Sequence, residues 1–127
     1  MKLILCIGIG GFIGAICRHF LAGAVDRWQT LSGFPWGIFV ANIVGCLLIG
    51  VFLGYSLHIK TVSEEARLLF VTGFLGSLTT FSTFSLQTLE LFRNDQTGLA
   101  LANIGASVVV GLLAVWLGFG LMSWFRS

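Results

Sequence analysis

Polar residues divide the chain into four long apolar stretches, about Leu3 to Val25, Trp36 to Leu57, Ala66 to Phe92 and Leu99 to Phe125. Each is near the roughly 20 residues that a helix needs to cross a bilayer core. The breaks are short and polar: Asp26-Arg27 with Ser32-Gly33-Phe34-Pro35, then Lys60-Thr61-Val62-Ser63-Glu64-Glu65, then Arg93-Asn94-Asp95-Gln96-Thr97-Gly98. Ser63 followed by Glu64 and Glu65 reads as a capped helix start with an acidic first turn. The first stretch exceeds the ~7–15 apolar residues of a cleaved signal and carries Arg18 and His19 inside it, so it is read as a membrane helix. The pattern predicts an all-α membrane protein, four transmembrane helices in one domain over residues 1–127.

Composition agrees: 57% of the residues are hydrophobic and 9% charged, against about 25% charged in soluble domains. Lipid tails are as apolar as leucine, so hydrophobic burial alone cannot hold such helices together. Gly10 with Gly14, and Gly50 with Gly54, have the four-residue spacing that lets helix backbones approach closely. Trp28, Trp36 and Trp124 fall near span ends, where an indole sits well at headgroup level. The glycines from Gly8 to Gly14 follow no strand and lie within a span, which argues against a nucleotide loop. Cys6, Cys17 and Cys46 lack metal-site or disulfide spacing and read as small buried hydrophobes. The net charge of +2 is scattered, with no basic run to track a nucleic acid. No nucleophile has a base and an orienting acid within plausible reach, so an enzyme is not expected.

With the N-terminus inside, the inner side carries Lys2, Lys60, Arg67 and Arg126, and the other side Arg27 and Arg93, plus Arg18 if it reaches that way. That bias is weak under the positive-inside rule. It fits either one fixed orientation or insertion both ways, which permits an antiparallel dimer.

The third span departs from a lipid-facing helix: Ser77, Thr79, Thr80, Ser82, Thr83 and Ser85 crowd its middle. Gly73 and Gly76, followed by these residues, predict a broken helix, which at membrane depth is tolerated only when buried in protein or lining a cavity. A break frees backbone carbonyls, to be satisfied by hydroxyls, water or a hard cation. Phe81 and Phe84 share one helix face and Ser82 and Ser85 an adjacent one. They are packing, or they line an anion path with ring edges and hydroxyls. Asn42 in the second span and Ser107 in the fourth are further polar residues at depth, where unpaired groups are expensive. Asn42 either donates to an anion or bridges helices; Asn103, nearer the span's end, is expected at the interface. Arg18 snorkels, or stands at the mouth of a vestibule. No acid lies central in any span, which disfavours proton coupling through an intramembrane carboxylate.

The stretch Thr79-Thr80-Phe81-Ser82-Thr83-Phe84-Ser85, preceded by Gly73-Phe74-Leu75-Gly76, resembles the signature of the Fluc/CrcB fluoride channels. Gly10-Gly11, Gly14 and Arg18, Pro35-Trp36-Gly37 leading to Asn42, and Gly105-Ala106-Ser107 fit the same pattern, so the likeness covers essentially the whole chain. Where family members often have Gly-Gly, Gly76 is here followed by Ser77. The resemblance implies an antiparallel, dual-topology homodimer in the bacterial inner membrane with two pores for passive fluoride export. It implies Phe81, Phe84, Asn42 and Ser107 along the pathway and Arg18 at a vestibule. A central structural sodium ion would rest on the carbonyls of Gly76 and Thr79 from both subunits at the dimer interface. The alternative is a small dual-topology multidrug exporter, which would want a carboxylate in its first span.

Overall fold

The computed structural model describes residues 1–28, 33–58 and 62–124. Helix α1 spans Lys2–Trp28 and α2 spans Trp36–His58. The third span runs as α3 (Glu64–Arg67), a π-helical stretch (Leu68–Leu75), α4 (Gly76–Leu78) and, after a break, α5 (Phe81–Arg93). Helix α6 covers Thr97–Trp124. Among the described residues, four segments are long and apolar enough to cross a membrane: Lys2–Trp28, Trp36–Leu57, Glu64–Arg93 and Thr97–Met122. This is a multi-pass helical membrane protein, and its spans match the apolar stretches to within a few residues. Ser32, Lys60, Thr61, Phe125 and Arg126 lie outside the described residues.

The turns follow from local chemistry. Ser63 caps α3 through Oγ, which accepts from the Ala66 N–H at 3.2 Å, as the Ser-Glu-Glu pattern anticipates. Between α5 and α6, Asp95 takes φ 58, a left-handed conformation that Asp tolerates better than most residues. At the other tie, Asp26 at the end of α1 accepts the Gly37 N–H on Oδ1 at 2.8 Å, satisfying a donor in the first turn of α2. Asp26→Ala should therefore destabilise the protein by about 1 kcal/mol, whereas Asp26→Asn, whose side-chain oxygen can still accept the Gly37 N–H, should retain most of the stability. Thermal unfolding in detergent measures this, and equal midpoints for the alanine variant and the parent would refute it.

The core combines alanines with a few leucines, Leu75, Leu78 and Leu91. Its buried apolar side chains include Ala22, Ala41, Ala100 and Ala114, whereas Phe12, Phe20, Leu112 and Trp116 face outward, the inverse of a water-soluble domain and suited to lipid. A Cβ on Gly10 or Gly14 would meet the backbone of the third span at Leu69 and Phe74, and one on Gly50 would run into the Val115 carbonyl of α6. Both glycine pairs thus mark close backbone approaches, between α1 and the π-helical stretch and between α2 and α6, the two most extensive helix pairs in the fold. Phe52, Phe70 and Phe74 stack in series, with centroids 5.4 and 5.6 Å apart, and bind α2 to the π-helical stretch. Cys17 is exposed on α1 rather than buried, while Cys6 and Cys46 are half-buried.

Candidate functional site

The break in the third span falls at Thr79 and Thr80, three residues beyond Gly76. Thr79 (φ −88, ψ 145) and Thr80 (φ −145, ψ 118) are extended, whereas Gly76 remains helical at φ −61, ψ −28. Gly73 has another use: a Cβ there would sit 2.6 Å from the Ile7 carbonyl of α1. The helix leaves at the threonines because a hydroxyl can replace a backbone acceptor at a helix start. Thr80 Oγ1 accepts from the Thr83 N–H at 3.4 Å and lies 3.1 Å from Ser82 Oγ and 3.2 Å from Thr83 Oγ1.

Asn42 on α2 completes the break. Its Oδ1 accepts the Thr80 N–H at 2.9 Å, a bond that a continuous helix would have given to the Gly76 carbonyl. By the same logic the Thr83 N–H, turned to Thr80 Oγ1, no longer serves the carbonyl of Thr79. Both carbonyls are therefore released from the helical ladder by donors that have gone elsewhere. Oxygen-only groups of this kind suit a hard cation, and carbonyl chemistry is indifferent to the Ser77 side chain, which lies against Gly11 of α1.

Beside the break is an open groove of about 450 Å³, lined by Asn42, Gly76, Thr79, Phe81, Phe84 and Ser107, with Cys46, Ile49 and Val71 among the apolar wall. The structure brings together these six residues singled out in the sequence; Arg18, half-exposed on α1, does not line the groove. Phe81 and Phe84 stand with ring centroids 5.6 Å apart at 37°. Phe81 is 80% exposed, so its ring is not core packing within this chain. With Oδ1 engaged, the two N–H groups of Asn42 Nδ2 have no acceptor among the described residues. The Ser107 hydroxyl is buried and also has no partner among them. An apolar groove with unclaimed donors at mid-span is fitted to take a small anion out of water.

One expectation needs correction. Ser82 and Ser85 do not line this groove: Ser82 joins the hydroxyl cluster at Thr80 and Ser85 donates to the Phe81 carbonyl at 2.8 Å. Hydroxyls at depth turn first to nearby carbonyls and caps. Asn103, expected near the end of its span, is 2% exposed, donating through Nδ2 to Thr88 Oγ1 at 2.9 Å. The face of α6 that meets α5 accounts for that burial.

Comparison with known proteins gives a family match over residues 5–119, to a model described as CrcB-like protein, Camphor Resistance (CrcB). A protein of Methylobacillus flagellatus named fluoride-specific ion channel FluC is 42% identical, covering 96% of this chain and 95% of that protein. Proteins of the same name from Methanococcus aeolicus and Salinibacter ruber are each 43% identical, over 93% and 94% of this chain and 93% and 89% of theirs.

Proposed function

Since this chain belongs to the CrcB-like family, we propose that it is a fluoride-selective ion channel through which the anion leaves the cell passively. The observation that carries this reading is the groove at the helix break, with Phe81 and Phe84 beside unclaimed donors on Asn42 and Ser107. Fluoride is costly to dehydrate, and a narrow path must offset that cost with close donors. Asn42 Nδ2, the Ser107 hydroxyl and the positive edges of the two rings supply them without a fixed charge that would trap the ion. No fuel is needed: hydrogen fluoride crosses the bilayer, ionises inside, and the negative-inside potential drives the anion out. The relatives' names favour a channel over a multidrug exporter, as does α1, whose one acid, Asp26, lies near its end.

A second, antiparallel copy in the inner membrane completes the pore in this reading. Support comes from the open side of the groove, the 80% exposed Phe81 ring, and a charge balance weak enough for insertion both ways. Two copies meeting at the break would offer four carbonyl oxygens, from Gly76 and Thr79 of each, and sodium is the cation proposed to lie among them, fixing the two copies together. Arg18 would act from a vestibule, raising the local anion concentration.

The test is fluoride efflux from liposomes containing the purified protein, followed with an electrode and repeated with chloride. Rapid fluoride loss without chloride loss is expected; comparable chloride loss would end the selective-channel reading. Exchanging sodium for choline should lower the thermal midpoint by several degrees, because a ligand at about 100 times its Kd contributes about 2.7 kcal/mol. Equal midpoints in the two salts would remove sodium from the account.

A further inference from the structure

Two side-chain amides reach α5 from other helices. Asn42 on α2 holds its N-cap through the Thr80 N–H, and Asn103 on α6 holds its body through Thr88. The second bond has no direct place in the groove. Asn103 and Thr88 are 2% and 7% exposed, and neither lines the groove.

The Thr88 hydroxyl hydrogen goes to the Phe84 carbonyl at 2.8 Å, which leaves the oxygen to accept from Asn103 Nδ2 at 2.9 Å. The series therefore runs in one direction, from α6 through Thr88 to the backbone of Phe84. Thr88 is four residues beyond Phe84, on the same side of α5. Turning α5 enough to swing the Phe84 ring out of the groove would draw Thr88 away from Asn103 and strand a buried amide at membrane depth. Packing gives less control, because α5 touches α6 and α2 far less extensively than those two helices touch each other.

We propose that Asn103 and Thr88 form a positioning pair, setting the rotation of α5 and thereby the direction of the Phe84 ring in the groove. The consequence for conduction rests on the fluoride-channel reading; the geometric statement does not. Thr88→Val keeps the side-chain shape and removes the hydroxyl, and Thr88→Ser restores it. The protein is prepared with 4-fluorophenylalanine at position 84, and its ring is observed by fluorine NMR alongside fluoride efflux from the unlabelled variants.

Thr88→Val should shift or broaden the ring resonance and lower efflux about tenfold, as small displacements of positioned groups do, while Thr88→Ser behaves as the parent. Asn103→Leu should reproduce Thr88→Val, and combining the two should add little. An unchanged resonance in Thr88→Val, or equal change in Thr88→Ser, would overturn the proposal. So would failure of both Thr88→Val and Asn103→Leu to assemble, which would make the bond a requirement of the fold. A parent protein that carries no fluoride, with the resonance responding as stated, would leave the positioning role standing and remove the channel reading.

Discussion

Phe84→Ile should reduce fluoride efflux about tenfold or more, and Phe81→Ile should do the same, without loss of folded protein. Isoleucine keeps an apolar side chain of similar bulk but has no ring edge to set against an anion. Loss of a contact of about 1.4 kcal/mol at the rate-limiting point is a factor of ten in rate. Folding is spared because Phe81 is 80% exposed, and Phe84, half-buried, meets Phe81 in a tilted ring contact at the groove rather than in the core. Efflux in liposomes checks the first part, and elution as a single species in detergent the second. Parent-like efflux in both variants would make the rings packing after all.

The largest effect on stability is expected at the contact of α2 with α6. A Cβ on Gly50 would run into the carbonyl of Val115, and one on Gly118 into the carbonyl of Leu47. The two glycines thus relieve the same interface from opposite sides, and each faces backbone, which cannot turn aside as a side chain can. Gly50→Val and Gly118→Val should each cost about 3 kcal/mol, the upper part of the range for overpacking, and lower the yield of folded protein sharply. Gly8, where a Cβ meets nothing within 4 Å, is the control: Gly8→Ala should be neutral or slightly stabilising, since alanine suits a helix interior better. Normal yields from both valine variants would show that the helices separate without penalty.

How legible these features were in the sequence depended on the kind of signal each left. The four spans and the Ser63 cap could be read from hydropathy and one polar pattern, because a bilayer forces long apolar runs and a helix start needs a side-chain acceptor. Gly10, Gly14, Gly50 and Gly54 could be read from spacing. The break was legible as a region but not as a position. Glycine suggested it, whereas the threonines made it, because the exit needed a cap and Gly73 was committed to contact with α1. Asn42 announced itself as a polar residue at depth, but its division of labour, Oδ1 to the Thr80 N–H and Nδ2 left over, is a fact of the α2 rotation. The bond from Asn103 to Thr88 went unrecognised because nothing in a single sequence says which face of α6 meets α5. The π-helical stretch Leu68–Leu75 left no signal that periodicity could have caught.

The break at Thr79 and Thr80 also creates poles. A helix carries about half a positive charge at its N-terminus and half a negative charge at its C-terminus. Interrupting the third span sets one end of each kind at mid-membrane: the start of α5 at Phe81 and the end of α4 at Leu78. The Phe81 end is attractive to anions and the Leu78 end to cations, a few residues apart and without an ionised side chain between them. One broken helix thereby provides, from backbone alone, opposite electrostatic environments, one suited to an anion and one to a cation.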